Sequence, residues 1–194
     1  EAVRNKNLFN TADHPLITTL DSSFQKRLKS SLKKMPQSVR NCQRCTAITK
    51  AGDRCRLRTC RGKKCWIHLK SQDNLRIQAS TLPNAGLGLF AASKPIPAQH
   101  TVAPYNGERL TREEVNRKYG DQRAEYVFCA NSRHCIDASK TNSSSARFAN
   151  DNRGQRSNSK FVYDNRNQRV NLKSTRQIPP GDEIFVHYGA DYWR

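Results

Sequence analysis

The sequence predicts a mainly β fold with few helices and one small cysteine-rich appendage. Three observations carry that expectation. From residue 88 onward, short runs of alternating apolar residues are separated by Pro, Gly and Asn turns, not by long amphipathic stretches. Only 35% of the 194 residues are hydrophobic and the mean hydropathy is −0.89, so one moderate core is what the chain can fill. Five of the seven cysteines fall between Cys42 and Cys65 beside a histidine, a clustering that suits a metal site.

Taken in order, residues 1–40 are expected to form an arm and a basic helix. Residues 1–20 show no sustained period. From Asp21 or Ser22, an acceptable N-cap, Phe24, Leu28, Leu32 and Met35 recur at helical spacing, and Lys26, Arg27, Lys29, Lys33 and Lys34 fill the other faces until Pro36 stops the pattern. Such a helix can meet a membrane surface or nucleic acid, but docking of its apolar stripe on a neighbouring domain is the more ordinary use.

Residues 41–72 form the cysteine-rich module. Cys42, Cys45, Cys55, Cys60, Cys65 and His68 lie in a short, turn-rich stretch with little apolar content. Soft thiolates and an imidazole at this density favour tetrahedral zinc, which replaces a core the segment lacks. The run Cys45, Thr46, Gly52, Cys55, then Cys65-Trp66-Ile67-His68 resembles a small zinc-module pattern. On that resemblance Cys45, Cys55, Cys65 and His68 are the expected ligands, with Cys42 and Cys60 left to substitute for one of them or to pair with each other. Closed four-ligand zinc has no position for substrate, so the module is expected to anchor and not to catalyse.

Residues 73–194 hold the expected main domain. Residues 72–81 lead into its first strand. Further strands are expected at 88–91, 101–105, 126–129, 134–137, 160–164, 168–173 and 183–187. One helix opens at Thr111, with Glu113 and Glu114 in its first turn, and ends at Tyr119-Gly120. The polar stretch 150–158 is a loop.

The formal net charge of +19, from 35 Lys and Arg against 16 Asp and Glu, points to polyanionic or acidic partners. No apolar run approaches the roughly 18 residues a membrane span needs, so no membrane partner is expected. No signal-peptide pattern opens the sequence, and the cysteine clustering argues for a reducing compartment over a secreted disulfide framework.

Two remote stretches carry the strongest functional signal: Ser145-Ala146-Arg147-Phe148-Ala149-Asn150-Asp151-Asn152, and Gly181-Asp182-Glu183-Ile184-Phe185-Val186-His187-Tyr188-Gly189. Upstream stand Gly86-Leu87-Gly88, Lys94-Pro95-Ile96-Pro97, Tyr105-Asn106-Gly107-Glu108, Glu125-Tyr126-Val127-Phe128 and Cys135-Ile136-Asp137-Ala138. In this order the motifs resemble those of the SET domain, the fold of many protein lysine methyltransferases, in its compact form without a zinc-binding tail.

That resemblance implies a fold of several small sheets with a threaded C-terminal segment, S-adenosylmethionine as cofactor, and in-line methyl transfer through a tyrosine-lined lysine channel. It implies Tyr188 at the mouth of the transfer pore, with Tyr126 and Tyr105 as channel or cofactor-side aromatics. Gly86, Leu87, Gly88, Tyr126, Arg147, Phe148, Asn150, Asp151, Tyr188 and Trp193 are the implied cofactor contacts. Asp151 departs from the family's usual His, which keeps open a catalytically silent binding module. A zinc-anchored nucleic-acid binder is a second alternative. Val186, two residues before Tyr188 where many members carry Tyr or Phe, implies that more than one methyl can be added. Histone tails or another lysine-bearing protein near nucleic acid are the implied substrates, with nucleosome or nucleic acid met through the basic surface, in the nucleus or alternatively the cytoplasm.

Overall fold

The computed structural model describes residues 42–140, 142–153, 155, 157–189 and 192. The expected arm and basic helix of residues 1–40 lie outside the described residues, as does Trp193. The described residues belong to one unit, 41–194.

The elements run β1 (Gln43–Arg44), β2 (Arg58–Thr59), α1 (Trp66–Asp73), β3 (Leu75–Ala79), β4 (Leu87–Ala91), β5 (Thr101–Tyr105) and β6 (Glu108–Leu110). They continue with α2 (Arg112–Tyr119), β7 (Val127–Asn131), β8 (His134–Asp137), a 3-10 turn (Ala146–Phe148), β9 (Ser159–Asp164) and β10 (Arg169–Ser174). Four small antiparallel sheets result: β1-β2, β3-β4, β5-β10-β9 and β6-β8-β7. This is the mainly β architecture of small sheets that the turn-punctuated sequence predicts.

Alternation explains how the sheets seat themselves. Along β10, Val170, Leu172 and Ser174 are buried while Arg169, Asn171 and Lys173 are more open. Pro104 lies within β5, the edge strand of its sheet, where a missing N–H costs least. The core gathers Leu75, Leu89, Leu172, Ile178 and Ile184, all almost fully buried.

Helix α2 has the expected start and stop. The Thr111 side chain accepts from the Glu114 N–H while the Glu114 carboxylate accepts from the Thr111 N–H, a reciprocal capping box, and Gly120 ends the helix at φ 54°. The helix is tied to β8 through Asp137, whose fully buried carboxylate accepts from Lys118 Nζ (2.7 Å), Tyr119 Oη (2.7 Å) and the Ser139 N–H (2.8 Å). Burial alone would raise this carboxyl, but the three donors hold it down at about 2, against an ordinary value of 3.8. A depressed carboxyl stabilises the fold above its unfolded pKa, and that stabilisation disappears as pH falls through the folded one. About 2 kcal/mol of stability should therefore be lost between roughly pH 4 and pH 2. Urea titrations across that window should show the loss in the wild type, and Asp137→Asn should flatten it. An equal acid-induced loss in the variant would refute the assignment.

The short strands β1, β2 and β6 were not expected, and two further differences bear on the site. Helix α1 was not expected, because only Leu69 of its eight residues is buried and no apolar stripe marks it. Its ends hold it instead. Cys65 precedes it, and Asn74 closes it in the left-handed conformation at φ 56°, with Oδ1 accepting from the N–H groups of Ser93 and Lys94. Leu69 joins the main core, so the cysteine-rich module and the sheets share a hydrophobic contact.

The expected strand at 183–187 is not a ladder strand. It makes an antiparallel bridge from Glu183 to Phe90 and parallel bridges from Phe185 to Asn150 and from Val186 to Ser159. Its N–H groups go in turn to Leu89 O, Asn158 Oδ1 and Asn150 O, three partners from distant parts of the chain. This is the threaded segment, and it passes between β4 and the stretch that follows the 3-10 turn.

Candidate active site and metal centre

A cavity of about 390 Å³ opens where the threaded segment emerges. Residues 84–87 of the β3–β4 loop form one wall; Glu125 and Tyr126 form another. Arg147, Phe148, Asn150 and Asp151 come from the 3-10 turn and its exit, and Tyr188 and Tyr192 close the space. Sequence positions more than 100 apart thus meet around one space.

Hydrogen bonds fix its walls. Tyr188 Oη donates to Ala149 O (2.8 Å), and the Tyr188 N–H donates to Asp151 Oδ2 (2.8 Å). Burial pushes the Tyr188 phenol above its ordinary value of 10, so it stays protonated through neutral pH. The rings of Tyr188 and Tyr192 stand 4.6 Å apart. The Arg147 guanidinium stacks over the Tyr126 ring, 3.9 Å from its centroid, while its Nε and Nη2 donate to Ala138 O and Ser139 O. Two of the Arg147 donors thus serve backbone carbonyls, while the residue still lines the cavity.

Most expected cofactor contacts line this cavity: Gly86, Leu87, Tyr126, Arg147, Phe148, Asn150, Asp151 and Tyr188. Two do not. Tyr105 is buried behind the cavity, its ring packed on Phe161 at 4.6 Å and its hydroxyl donating to Tyr126 O, so it supports the wall without reaching the space. Gly88 is also turned away. A Cβ there would collide with Glu183 Oε1, so the glycine makes room for a buried carboxylate.

That carboxylate escaped the sequence reading. Glu183 Oε1 accepts from Ser80 Oγ (2.7 Å) and Asn150 Nδ2 (3.1 Å); Oε2 accepts from the Thr81 N–H (2.7 Å) and Thr81 Oγ1 (2.6 Å). Asn150 Nδ2 also donates to Leu87 O. Glu183 therefore holds the start of the 80–87 loop and Asn150, and Asn150 in turn holds the loop's far end at Leu87. Asn84, Ala85 and Glu125, which the motifs contain without a contact being expected of them, line the cavity too, as does Tyr192, which the family resemblance suggests as a cap on the channel together with Trp193.

The metal centre is a separate constellation. The ligand atoms of Cys45, Cys55, Cys65 and His68 all lie within 4.8 Å of one another, with the three cysteines buried. Cys45 Sγ is 3.7 Å and Cys65 Sγ 3.3 Å from His68 Nδ1, and Cys55 and Cys65 Sγ are 4.0 Å apart. Zinc–thiolate bonds of about 2.3 Å put the corners of a tetrahedron roughly 3.8 Å apart, so the donors fit Zn²⁺ in number, type and spacing. Burial, with the neighbouring Cys45 thiol, pushes Cys65 up to about 12, a deficit of positive charge that a divalent cation would cancel. Of the two roles open to Cys42 and Cys60, the structure takes the second: a disulfide joins them, which removes both as substitute ligands. A disulfide between Cys129 and Cys135, opposed on β7 and β8, was not foreseen.

The family model described as "SET domain" matches residues 86–189, more than half of the chain. The chain belongs to the SET-domain family. Among solved structures, the SET domain here is similar to the methyltransferase domain of human PR domain-containing protein 2. Identity is 25%, coverage is 61% of this chain and 80% of that one, and the TM-score is 0.47. No curated protein matches the chain.

SET domains are protein methyltransferases that take S-adenosylmethionine as methyl donor, and the cavity suits that molecule. Its volume lies in the range of small-molecule sites. Four aromatic rings and the carboxylates of Glu125 and Asp151 answer a ligand that carries a sulfonium and an ammonium. The positive φ of 73° at Gly86 puts the loop in a conformation that glycine adopts without strain.

Proposed function

We propose that the protein is a protein-lysine N-methyltransferase whose substrate is a histone tail or another lysine-bearing protein held near nucleic acid. The carrying observation is the convergence of the 84–87 loop, the 147–151 turn and the protonated Tyr188 on one cavity. In this reading residues 41–72 anchor the enzyme through zinc and basic side chains, and residues 73–194 carry the chemistry at chromatin.

The bound cofactor supplies the methyl group. The residues must then align a lysine amine in its neutral form, its proton released to solvent before transfer. A free lysine side chain has a pKa of about 10.4, and an aromatic wall of Tyr126, Tyr188 and Tyr192 disfavours its charged form. The Tyr188 proton is already directed to Ala149 O, which leaves the phenol oxygen to accept from the incoming amine. Asp151 stands where the family usually has His, and it serves the site by holding the Tyr188 backbone N–H, which sets where that phenol stands. Gly86, Leu87, Phe148 and Asn150 are assigned to cofactor binding, with Arg147 bracing Tyr126.

Glu183 acts as a positioning residue for the 80–87 loop. Glu183→Gln keeps the size but puts an amide N–H₂ against the donors of Ser80 and Thr81. The variant should bind S-adenosylmethionine about tenfold more weakly and lose about 2 kcal/mol of stability. Calorimetry on the folded variant checks this; unchanged donor affinity would refute the positioning role.

Val186 is a small, fully buried side chain beside the threaded bridge. It is not among the residues that line the cavity, so the proposal of more than one methyl rests on the family resemblance, a smaller apolar group where many members carry Tyr or Phe. The test of the whole reading is incubation of the protein with labelled S-adenosylmethionine and histones, nucleosomes or lysine peptides, followed by a mass-spectrometric time course. Label on lysine, progressing past the monomethyl form, is expected. Strict monomethylation would overturn the Val186 argument. Cofactor uptake with no transfer to any substrate would instead favour a silent binding module.

A further inference from the structure

Among the described residues, the exposed large apolar side chains are Ile48, Trp66 and Ile67, at 55%, 74% and 42% exposure, and all belong to the cysteine-rich module. Neither the metal cluster nor the methyl-transfer cavity accounts for them. Trp66 is the most open of the three although it lies between two residues of the cluster, Cys65 and His68, whose backbone a metal would pin.

Its surroundings are cationic. Residues 42–73 hold nine Lys and Arg against Asp53 and Asp73, and Asp73 is already paired with Lys64. Lys70 is four residues beyond Trp66 on α1, so the two share a helix face one turn apart. Lys63 lies three residues before it, its carbonyl held by the Thr46 N–H (3.0 Å) and Oγ1 (3.2 Å). Trp66 thus lies along the chain between two lysines, with Lys70 one helical turn away.

The chemistry selects the partner. A net positive surface attracts polyanions, and phosphates along a strand would satisfy lysines on either side of the ring. The face of an indole carries partial negative charge, so it meets the π-face of a base better than it meets a carboxylate. A duplex keeps its bases stacked inside and offers mainly its backbone. An unpaired base offers a π-face, and base–aromatic stacking tolerates any sequence. We propose that the cysteine-rich module binds single-stranded nucleic acid, Trp66 stacking on an unpaired base while Lys63 and Lys70 meet the flanking phosphates. This site is independent of the methyltransferase reading.

The test uses the whole zinc-loaded chain and fluorescence anisotropy with labelled oligo-dT, oligo-U, a duplex of equal length, and polyglutamate as competitor. Single strands should bind more tightly than the duplex, with affinity falling steeply between about 50 and 200 mM salt. Trp66→Ala should weaken single-strand binding by about 5- to 150-fold and leave its salt slope nearly unchanged. Lys63→Ala with Lys70→Ala should reduce that slope by about 0.7 per lost contact. Trp66→Phe should retain most of the affinity, and zinc content should be equal in all variants. Equal binding of duplex and single strands with no effect of Trp66→Ala would overturn the proposal. So would polyglutamate competing as well as oligo-dT. A Trp66→Ala variant with a lower Tm and unaltered oligonucleotide affinity would also overturn it, by showing that the indole packs on another part of the chain.

Discussion

Tyr188→Phe should lower methyl transfer by about 10²-fold while cofactor affinity changes little. The ring and its packing on Tyr192 survive the substitution, so the cavity wall stays in place. What goes is the hydroxyl, and with it the bond to Ala149 O and the acceptor proposed for the incoming amine. Loss of alignment on this scale costs about two orders of magnitude in rate. Because burial raises the Tyr188 phenol, it is protonated across the assay range and cannot serve as the base. The transfer rate should therefore rise with pH as the substrate amine loses its proton, with an apparent pKa below the roughly 10.4 of free lysine, and no limb should follow tyrosine ionisation. Single-turnover assays at several pH values, with donor binding measured by calorimetry, check both parts. Full activity in Tyr188→Phe would sink the proposed role.

Removing the metal should unfold the cysteine-rich module and loosen the SET domain with it. Binding of structural zinc is worth about 10–16 kcal/mol in small modules, more than such a segment's own packing supplies. The buried residues around the cluster are the three cysteines and Ala47, with Leu57 packed against them, so apart from the Cys42–Cys60 disulfide and Leu69 little packing supports it. Leu69 reaches from α1 into the main core, and losing a buried leucine costs about 2–5 kcal/mol. One zinc per chain is expected by elemental analysis. Chelation, or Cys65→Ser, should abolish amide protection over residues 42–73 and lower the Tm of the remainder by several degrees. Persistent protection in metal-free protein would show that the cluster is an ordinary thiol core.

Much of the fold was legible because its cues are local. Thr111 with Glu114 three residues later encodes a capping box, and the structure contains both halves of it. The strands at 101–105 and 134–137 coincide with Thr101–Tyr105 and His134–Asp137, where alternation and flanking turn residues agree. Helix α1 was invisible for the opposite reason: it has no apolar periodicity, and the Asn74 cap that closes it is held by Ser93 and Lys94, about 20 residues on. The segment 183–187 has strand composition but lies among three partners, so it makes single bridges where a ladder was expected.

The candidate site divides along the same line. Motif order alone named eight residues that line the cavity, but motifs say nothing of which side chains turn inward. Tyr105 and Gly88 stand behind the wall because one donates to Tyr126 O and the other yields space to Glu183.

The amino-acid sequence by itself determined most kinds of element, the turn and cap chemistry, the family and the candidate metal ligands, since each is carried by short local runs or by the order of such runs along the chain. Only the tertiary structure decided that Glu183 clamps a loop about 100 residues away, that Asp151 holds Tyr188, and that Cys42 pairs with Cys60. Those contacts follow from how the threaded segment passes between distant strands, and a path through space leaves no periodic trace in the order of residues.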